Sequence, residues 1–291
     1  MPELPEVEHL RRSLERDLVG SRVAAVTVLR SDVIRGRPGH AGTTTGDLLE
    51  GATIHGLDRR GKQLAIVADG GRGVIVQLGM SGQLLWSVAD RRRESGDHVH
   101  VRWQLVDAAG LARCLEFRDP RRFGGLSPFA SRSDLDERLW SGLGPDAAIV
   151  AAEDLAVRLH ERARDSRRAL KSMLLDQSVV AGIGNIYADE ALFAAGIHPA
   201  LVARRLNPAL AARLAQEIRT TLHTAIEAGG STLRDYVDAG GRPGTFQDSH
   251  RVYGREGQPC VRCGSPIRSA PLSGRTTSWC PRCQTRSVHR V

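Results

Sequence analysis

Four cysteines fall at Cys260-x2-Cys263-x16-Cys280-x2-Cys283, and nothing else in the chain constrains its folding as tightly. Two thiolates set two residues apart can reach one tetrahedral metal, and the loop between the pairs brings the second two back to it. The spacing predicts a zinc ribbon over residues 255–291 holding one Zn2+. Four protein ligands leave no position for water, so this zinc is structural. A disulfide framework is disfavoured, because Met1-Pro-Glu-Leu-Pro-Glu-Val-Glu8 is acidic and carries no apolar signal segment. The fifth cysteine, Cys114, lies in a strand-like run and reads as a small buried apolar residue.

The same C-terminal stretch carries most of the charge. From Arg251 to Val291 there are eight arginines against the single acid Glu256, which is +7 of the chain's net +8. A nearly neutral body with a concentrated basic module implies a polyanionic partner. Only two lysines, Lys62 and Lys171, stand among 41 basic residues. Where arginine meets the general need for charge, a surviving lysine is a candidate for work that needs a compact ammonium or a removable proton. Aromatic residues make up 4%, too few for a broad platform on which unpaired bases stack. No apolar run approaches the roughly 20 residues of a membrane helix. No membrane partner is expected, and a cytoplasmic monomer is the default.

A length of 291 residues suits two domains and an appendage. Leu4, Val7, Leu10, Leu14 and Leu18 recur at helical spacing, which predicts a helix over 5–19 stopped by Gly20. Short β runs follow at 22–29, 63–67, 74–78, 83–86, 98–105 and 112–117, separated by glycine-rich turns. The expected fold is α+β and multidomain. A leading helix packs on a β-sandwich (1–130), and a helical domain (146–235) follows. Next come a loop-like connector (236–254) and the zinc ribbon (255–291). Helices are expected at 151–164, 167–176, 186–195, 208–228 and 232–237.

The N-terminus carries its own chemistry. A small second residue permits removal of Met1, which would free Pro2 as a secondary amine. Such an amine attacking a carbonyl-like carbon yields a cationic iminium, an electron sink for elimination. The start of the following helix favours the neutral amine, and Glu3 and Glu6 flank it as proton-transfer candidates. Proline and acids in a first helical turn also serve as ordinary capping.

Met1-Pro-Glu-Leu-Pro-Glu-Val-Glu8 resembles the N-terminus of the formamidopyrimidine-DNA glycosylases, bacterial base-excision repair enzymes. The likeness continues in order along the chain. It runs through Gln77-Leu-Gly-Met-Ser-Gly82, Asp119-Pro-Arg-Arg-Phe-Gly124, Leu174-Leu-Asp-Gln177 and Gly182-Ile-Gly-Asn-Ile-Tyr-Ala-Asp-Glu190. It ends with Gly229-Gly-Ser-Thr-Leu233, Gly244-Thr-Phe-Gln247, Val252-Tyr-Gly-Arg255 and the cysteine module.

The resemblance implies a helix–two-turn–helix in the helical domain and a bifunctional glycosylase/lyase acting on duplex DNA that contains oxidised bases. It implies Pro2 as nucleophile, Glu3 as proton donor and Glu6 as supporting acid. Lys62 would be the proton donor in β-elimination, and Arg275 the ribbon arginine assigned to δ-elimination. Met80, Arg121 and Phe123 would fill the void left by a flipped base, Met and Phe as wedges and Arg bonding the orphaned partner. His98, Arg167, Lys171, Asn185 and Tyr253 are implied DNA contacts, Asn185 at a helix start where backbone amides bind phosphate. The 229–250 segment matches the loop that encloses an oxidised purine.

Two positions depart from the family pattern: Gln77 stands where His is common, and Gly96 where some members carry a DNA-contacting His. Oxidised purines such as 8-oxoguanine and formamidopyrimidines are the implied substrates. An endonuclease VIII-like enzyme for oxidised pyrimidines is the alternative. A noncatalytic damaged-DNA binder would need to have lost Pro2, Glu3 or Lys62, and all three are present.

Overall fold

The computed structural model describes residues 2–36, 42–88, 98–233 and 235–285. The chain divides into two compact units: Met1–Gly142 with Ile226–Thr245, and Leu143–Ala225 with Phe246–Val291. Gly96 lies outside the described residues.

In the first unit α1 (Leu4–Leu18) leads into two four-stranded antiparallel sheets. One contains β1 (Arg22–Val28), β5 (Gln83–Val88), β6 (Val99–Val106) and β7 (Ala112–Arg118), in the order β1-β6-β7-β5. The other contains β2 (Ile54–Arg60), β3 (Gln63–Ala68), β4 (Gly73–Gln77) and β8 (Gly125–Phe129), in the order β2-β3-β4-β8. Alternating apolar residues turn inward from both. Leu64, Ile66, Val74 and Val76 share one core with Val101, Trp103, Leu115 and Phe117, and α1 adds Leu10, Leu14 and Leu18. The sandwich with its leading helix is therefore as expected.

Strands β2 and β8 had no clear sequence signal. Gly56 and the charged run Asp58-Arg59-Arg60 break the apolar pattern of the first, and Pro128 interrupts the second. Both are edge strands, where a missing N–H or a polar face is tolerated.

The second unit contains α3 (Ala152–Ala163), α4 (Leu170–Leu174), α5 (Asn185–Ala194) and most of α6 (Pro208–Glu227), after a short turn α2 (Arg132–Asp134) in the first unit. The helix expected over 167–176 shrinks to Leu170–Leu174, because Arg168 and Ser166 spend backbone groups on residues 203 and 204. The helix expected over 232–237 does not form among the described residues there. Gly229 and Gly230 both take positive φ and end α6, and the next backbone N–H, of Ser231, donates to the Glu6 carboxylate. The ribbon is the hairpin β9 (Arg268–Leu272) and β10 (Arg275–Trp279), with Phe193, Val252 and Ile267 packed beside its cysteines.

Candidate active site

Helix α1 begins at an acidic, buried start. Pro2 is buried, and Glu3 and Glu6 are only 2% and 1% exposed. Glu6 sits three residues into the chain from Glu3, and one of its oxygens accepts the Glu3 N–H at 2.7 Å. That is the half of a capping box that satisfies an orphan donor at a helix start. The other oxygen accepts the Ser231 N–H, also at 2.7 Å. The Tyr236 hydroxyl donates to the Glu6 carbonyl at 2.9 Å. Burial, with the charges of Glu6 and Asp238, pushes the Tyr236 phenol well above the usual tyrosine range, so it stays a donor. A Cβ on Gly230 would lie 2.7 Å from Glu6, so only glycine lets this loop come so close. The first turn of α1 and the 229–236 segment are thus fastened through one carboxylate.

One turn further on, Glu8 receives Arg59 Nε at 2.8 Å and Arg11 Nε at 3.1 Å. Burial alone would raise the Glu8 carboxyl, but the hydrogen bonds and charges of Arg11 and Arg59 bring it down to about 2. Arg59 also donates to the Gly61 carbonyl at 3.1 Å, in the β2–β3 turn that carries Lys62. The turn bearing Lys62 is therefore tied to the first half of α1.

Met80 and Phe123 are exposed at 40% and 54%, two large apolar side chains outside the core. They stand on two adjoining turns, and the exposed Arg121 guanidinium lies 4.9 Å from the Phe123 ring centre. His98 is exposed and left-handed (φ 63°) at the head of β6. Gln77 accepts a hydrogen bond from Arg35.

In the second unit Arg275 is exposed just after the tight turn Ser273-Gly274, both at positive φ. Asn185 opens α5 and donates to the Thr276 carbonyl at 3.0 Å, beside Arg275. Arg167 is exposed, and Tyr253 is half-buried with its ring centre 5.6 Å from that of His250 in an edge-on arrangement. Lys171 corrects its sequence expectation. It is 1% exposed, its Nζ lies 2.8 Å from Asp189 and it donates to Thr277 Oγ1 at 2.9 Å. An ammonium sealed in this way offers no surface to a phosphate. Asp189 in turn accepts the Ser278 N–H at 2.9 Å. Burial drives the Asp189 carboxyl up, and the Lys171 charge opposes it. The neighbouring Glu190 collects the N–H groups of Arg251, Val252 and Tyr253 at 2.9–3.1 Å. Sequence reasoning gave neither acid a role. Their being adjacent acids inside a mostly apolar helix was the available signal.

The four cysteine sulfurs lie within 4.8 Å of one another. Cys260 and Cys283 stand 3.9 Å apart, and Cys263 and Cys280 3.5 Å. Four sulfurs at about 2.3 Å from a tetrahedral zinc would be about 3.8 Å apart. The donor set and its spacing fit one zinc ion, held by all four thiolates in a closed structural site.

A zinc ribbon beside a helix–two-turn–helix, and a β-sandwich whose leading helix opens on buried acids, together define a DNA-repair glycosylase. The comparisons agree along the whole length. Residues 1–126 match the formamidopyrimidine-DNA glycosylase N-terminal domain, 143–237 its H2TH domain, and 257–286 the zinc finger found in FPG and IleRS. The formamidopyrimidine-DNA glycosylase of Syntrophotalea carbinolica is 40% identical over 284 residues, covering 98% of this chain and 100% of that one. That of Thiobacillus denitrificans is 42% identical over 285 residues, with the same coverage. A Lactococcus lactis FPG mutant in complex with Fapy-dG-containing DNA superposes with a TM-score of 0.85 at 33% identity, covering 97% of this chain and 99% of that one. The L. lactis protein with abasic-site DNA gives 0.84 at 33% identity. The chain belongs to the formamidopyrimidine-DNA glycosylase family and is a DNA glycosylase of base-excision repair.

Proposed function

We propose that this enzyme excises oxidised purines, 8-oxoguanine and formamidopyrimidines, from duplex DNA and then cleaves the strand through an iminium on Pro2. The observation that carries the reading is the buried acid pair beside Pro2. Glu3 and Glu6 are sealed from water at the start of α1, where an amine nucleophile would need a proton donor. The amine lone pair attacks C1′ of the flipped nucleotide, and the glycosidic electrons leave with the base, which takes a proton. The attached nitrogen gives up its N–H proton to water, and its freed lone pair expels the ring oxygen, which Glu3 protonates, to give the iminium. Loss of a C2′ proton then expels the 3′ phosphate. Loss of a second proton expels the 5′ phosphate, leaving a one-nucleotide gap.

In this reading Glu6 holds the segment around Pro2 in place. Lys62 serves β-elimination and Arg275 δ-elimination. Met80, Arg121 and Phe123 occupy the vacated stack. His98, Arg167, Asn185 and Tyr253 meet the DNA backbone, and Lys171 acts at one remove by anchoring the ribbon. The working divisions are a catalytic domain over 1–130, a helix–two-turn–helix domain over 146–235, a connector over 236–254 and the ribbon over 255–291. The site of action is bacterial nucleoid DNA in the cytoplasm.

The test is base release from a panel of duplexes carrying 8-oxoguanine, a formamidopyrimidine or an oxidised pyrimidine, each opposite cytosine or its normal partner. Fastest release of the oxidised purines supports the reading. One L. lactis complex holds oxidized-pyrimidine-containing DNA, so faster release of a pyrimidine lesion would favour the endonuclease VIII-like alternative.

A further inference from the structure

Asp119 is fully buried (0% exposed) and has been given no role above. A buried carboxylate persists only where donors surround it. Its donors come from both turns that bear the exposed Met80, Arg121 and Phe123. Ser81 Oγ donates to Oδ1 at 2.6 Å, the Arg121 N–H reaches the same oxygen at 3.3 Å, and the Gly124 N–H reaches Oδ2 at 2.7 Å. Ser81 Oγ also accepts the Arg121 N–H at 3.2 Å, so the hydroxyl is a cross-link between the turns. From behind, the Asp119 carbonyl accepts from the His100 ring at 2.8 Å.

The turns also meet backbone to backbone. A Cβ on Gly79 would lie 2.4 Å from the Gly124 nitrogen, and one on Gly124 would lie 2.5 Å from the Gln77 carbonyl oxygen. No side chain but hydrogen fits at either position. We propose that Asp119, through Ser81, is a positioning residue that locks the Met80 turn and the Arg121–Phe123 turn into one rigid wedge. Three side chains on two free loops would have to be ordered when a base leaves the stack. On a common base they are ordered beforehand, and insertion loses less conformational freedom.

This rests on the wedge reading of Met80, Arg121 and Phe123, and the experiment separates the two. For the full chain and its variants, release of 8-oxoguanine from duplex DNA is compared with strand cleavage at a preformed abasic site, which has no base to extrude. Ser81→Ala and Asp119→Asn are expected to slow base release by about tenfold, the effect of losing charge-assisted hydrogen bonds. They should slow abasic-site cleavage far less. Ser81→Ala removes only the cross-link and decides the matter if Asp119→Asn fails to fold. The double variant Ser81→Ala/Met80→Ala should lose less than the product of the single losses, because the lock acts through the wedge. Equal losses on both substrates, multiplicative losses, or wild-type base release in Ser81→Ala would overturn the lock. Wild-type base release in both Met80→Ala and Phe123→Ala would overturn the wedge reading itself, and the lock with it.

Discussion

Ser231 and Glu6 are 225 positions apart, yet the Ser231 N–H donates to Glu6 Oε1 at 2.7 Å while Glu6 Oε2 holds the Glu3 N–H at the same distance. One carboxylate therefore fixes both the segment that follows Pro2 and the segment that follows α6. Its geometry requires an acceptor at each oxygen, which a carboxylate provides and an amide does not.

Glu6→Gln should consequently turn an amide NH2 toward one of the two N–H donors. A loss of about 1–3 kcal/mol of stability is expected, the usual cost of a buried donor left unpaired. Base release should fall together with it. Chemical unfolding alongside single-turnover excision measures both. Unchanged stability would mean that the two N–H groups find other acceptors.

Lys171 gives a contrast between touching DNA and holding the protein. Lys171→Met strands Asp189 in the interior and should cost roughly 3–5 kcal/mol. Lys171→Met/Asp189→Leu should recover much of that. The slope of log affinity against log salt should stay at the wild-type value in the double variant, whereas a lost phosphate contact would lower it by about one. A slope reduced by one would restore Lys171 to the phosphate-binding set.

Glu8 sets an acid limit on stability. Its carboxyl sits at about 2 in the fold against an ordinary 4.5. A lowered folded-state value gives stability that is present in full above pH 4.5 and is lost as pH falls through that range toward 2. The side chain is 11% exposed, so a contribution of about 2 kcal/mol is expected. Glu8→Gln should be less stable than wild type at pH 7, and the gap should narrow by pH 3. Urea midpoints across that range check this, and a constant gap would show that the Arg11 and Arg59 contacts are not charge-dependent.

Zinc removal should act through the ribbon. With four thiolates and a small core of Phe193, Val252 and Ile267, the hairpin that carries Arg275 depends on the metal for much of its folding energy, about 10 kcal/mol or more in comparable small modules. Chelation should weaken lesion-duplex binding by at least about tenfold. Unchanged affinity in zinc-free protein would remove the ribbon from the DNA contacts.

Much of this was legible in the sequence because the signals were local. The cysteine spacing, the helical rhythm of Leu4 to Leu18 and the alternating strands each report on a few neighbouring residues. What was not legible depended on distant partners. The 232–237 segment has helix-compatible composition, but the bonds of Ser231 and Tyr236 to Glu6 compete with a helical ladder. In strands β2 and β8 the pattern is broken by Gly56, the Asp58-Arg59-Arg60 run and Pro128, which the edge of a sheet tolerates. Lys171 follows two arginines and so reads as surface charge. Only the acid at position 189, one helix away, reveals that it is internal. Asp119 opens the Asp119–Gly124 motif, but a carboxylate's donors cannot be seen from its own position.

The central claim is that the attacking nitrogen belongs to Pro2. Borohydride reduction of the enzyme on 8-oxoguanine duplex, followed by proteolysis and mass spectrometry, locates the attached deoxyribose remnant. The expected result is a modified N-terminal peptide that begins at Pro2, with Met1 absent. A remnant on Lys62, or a fully active preparation that retains Met1, would contradict it.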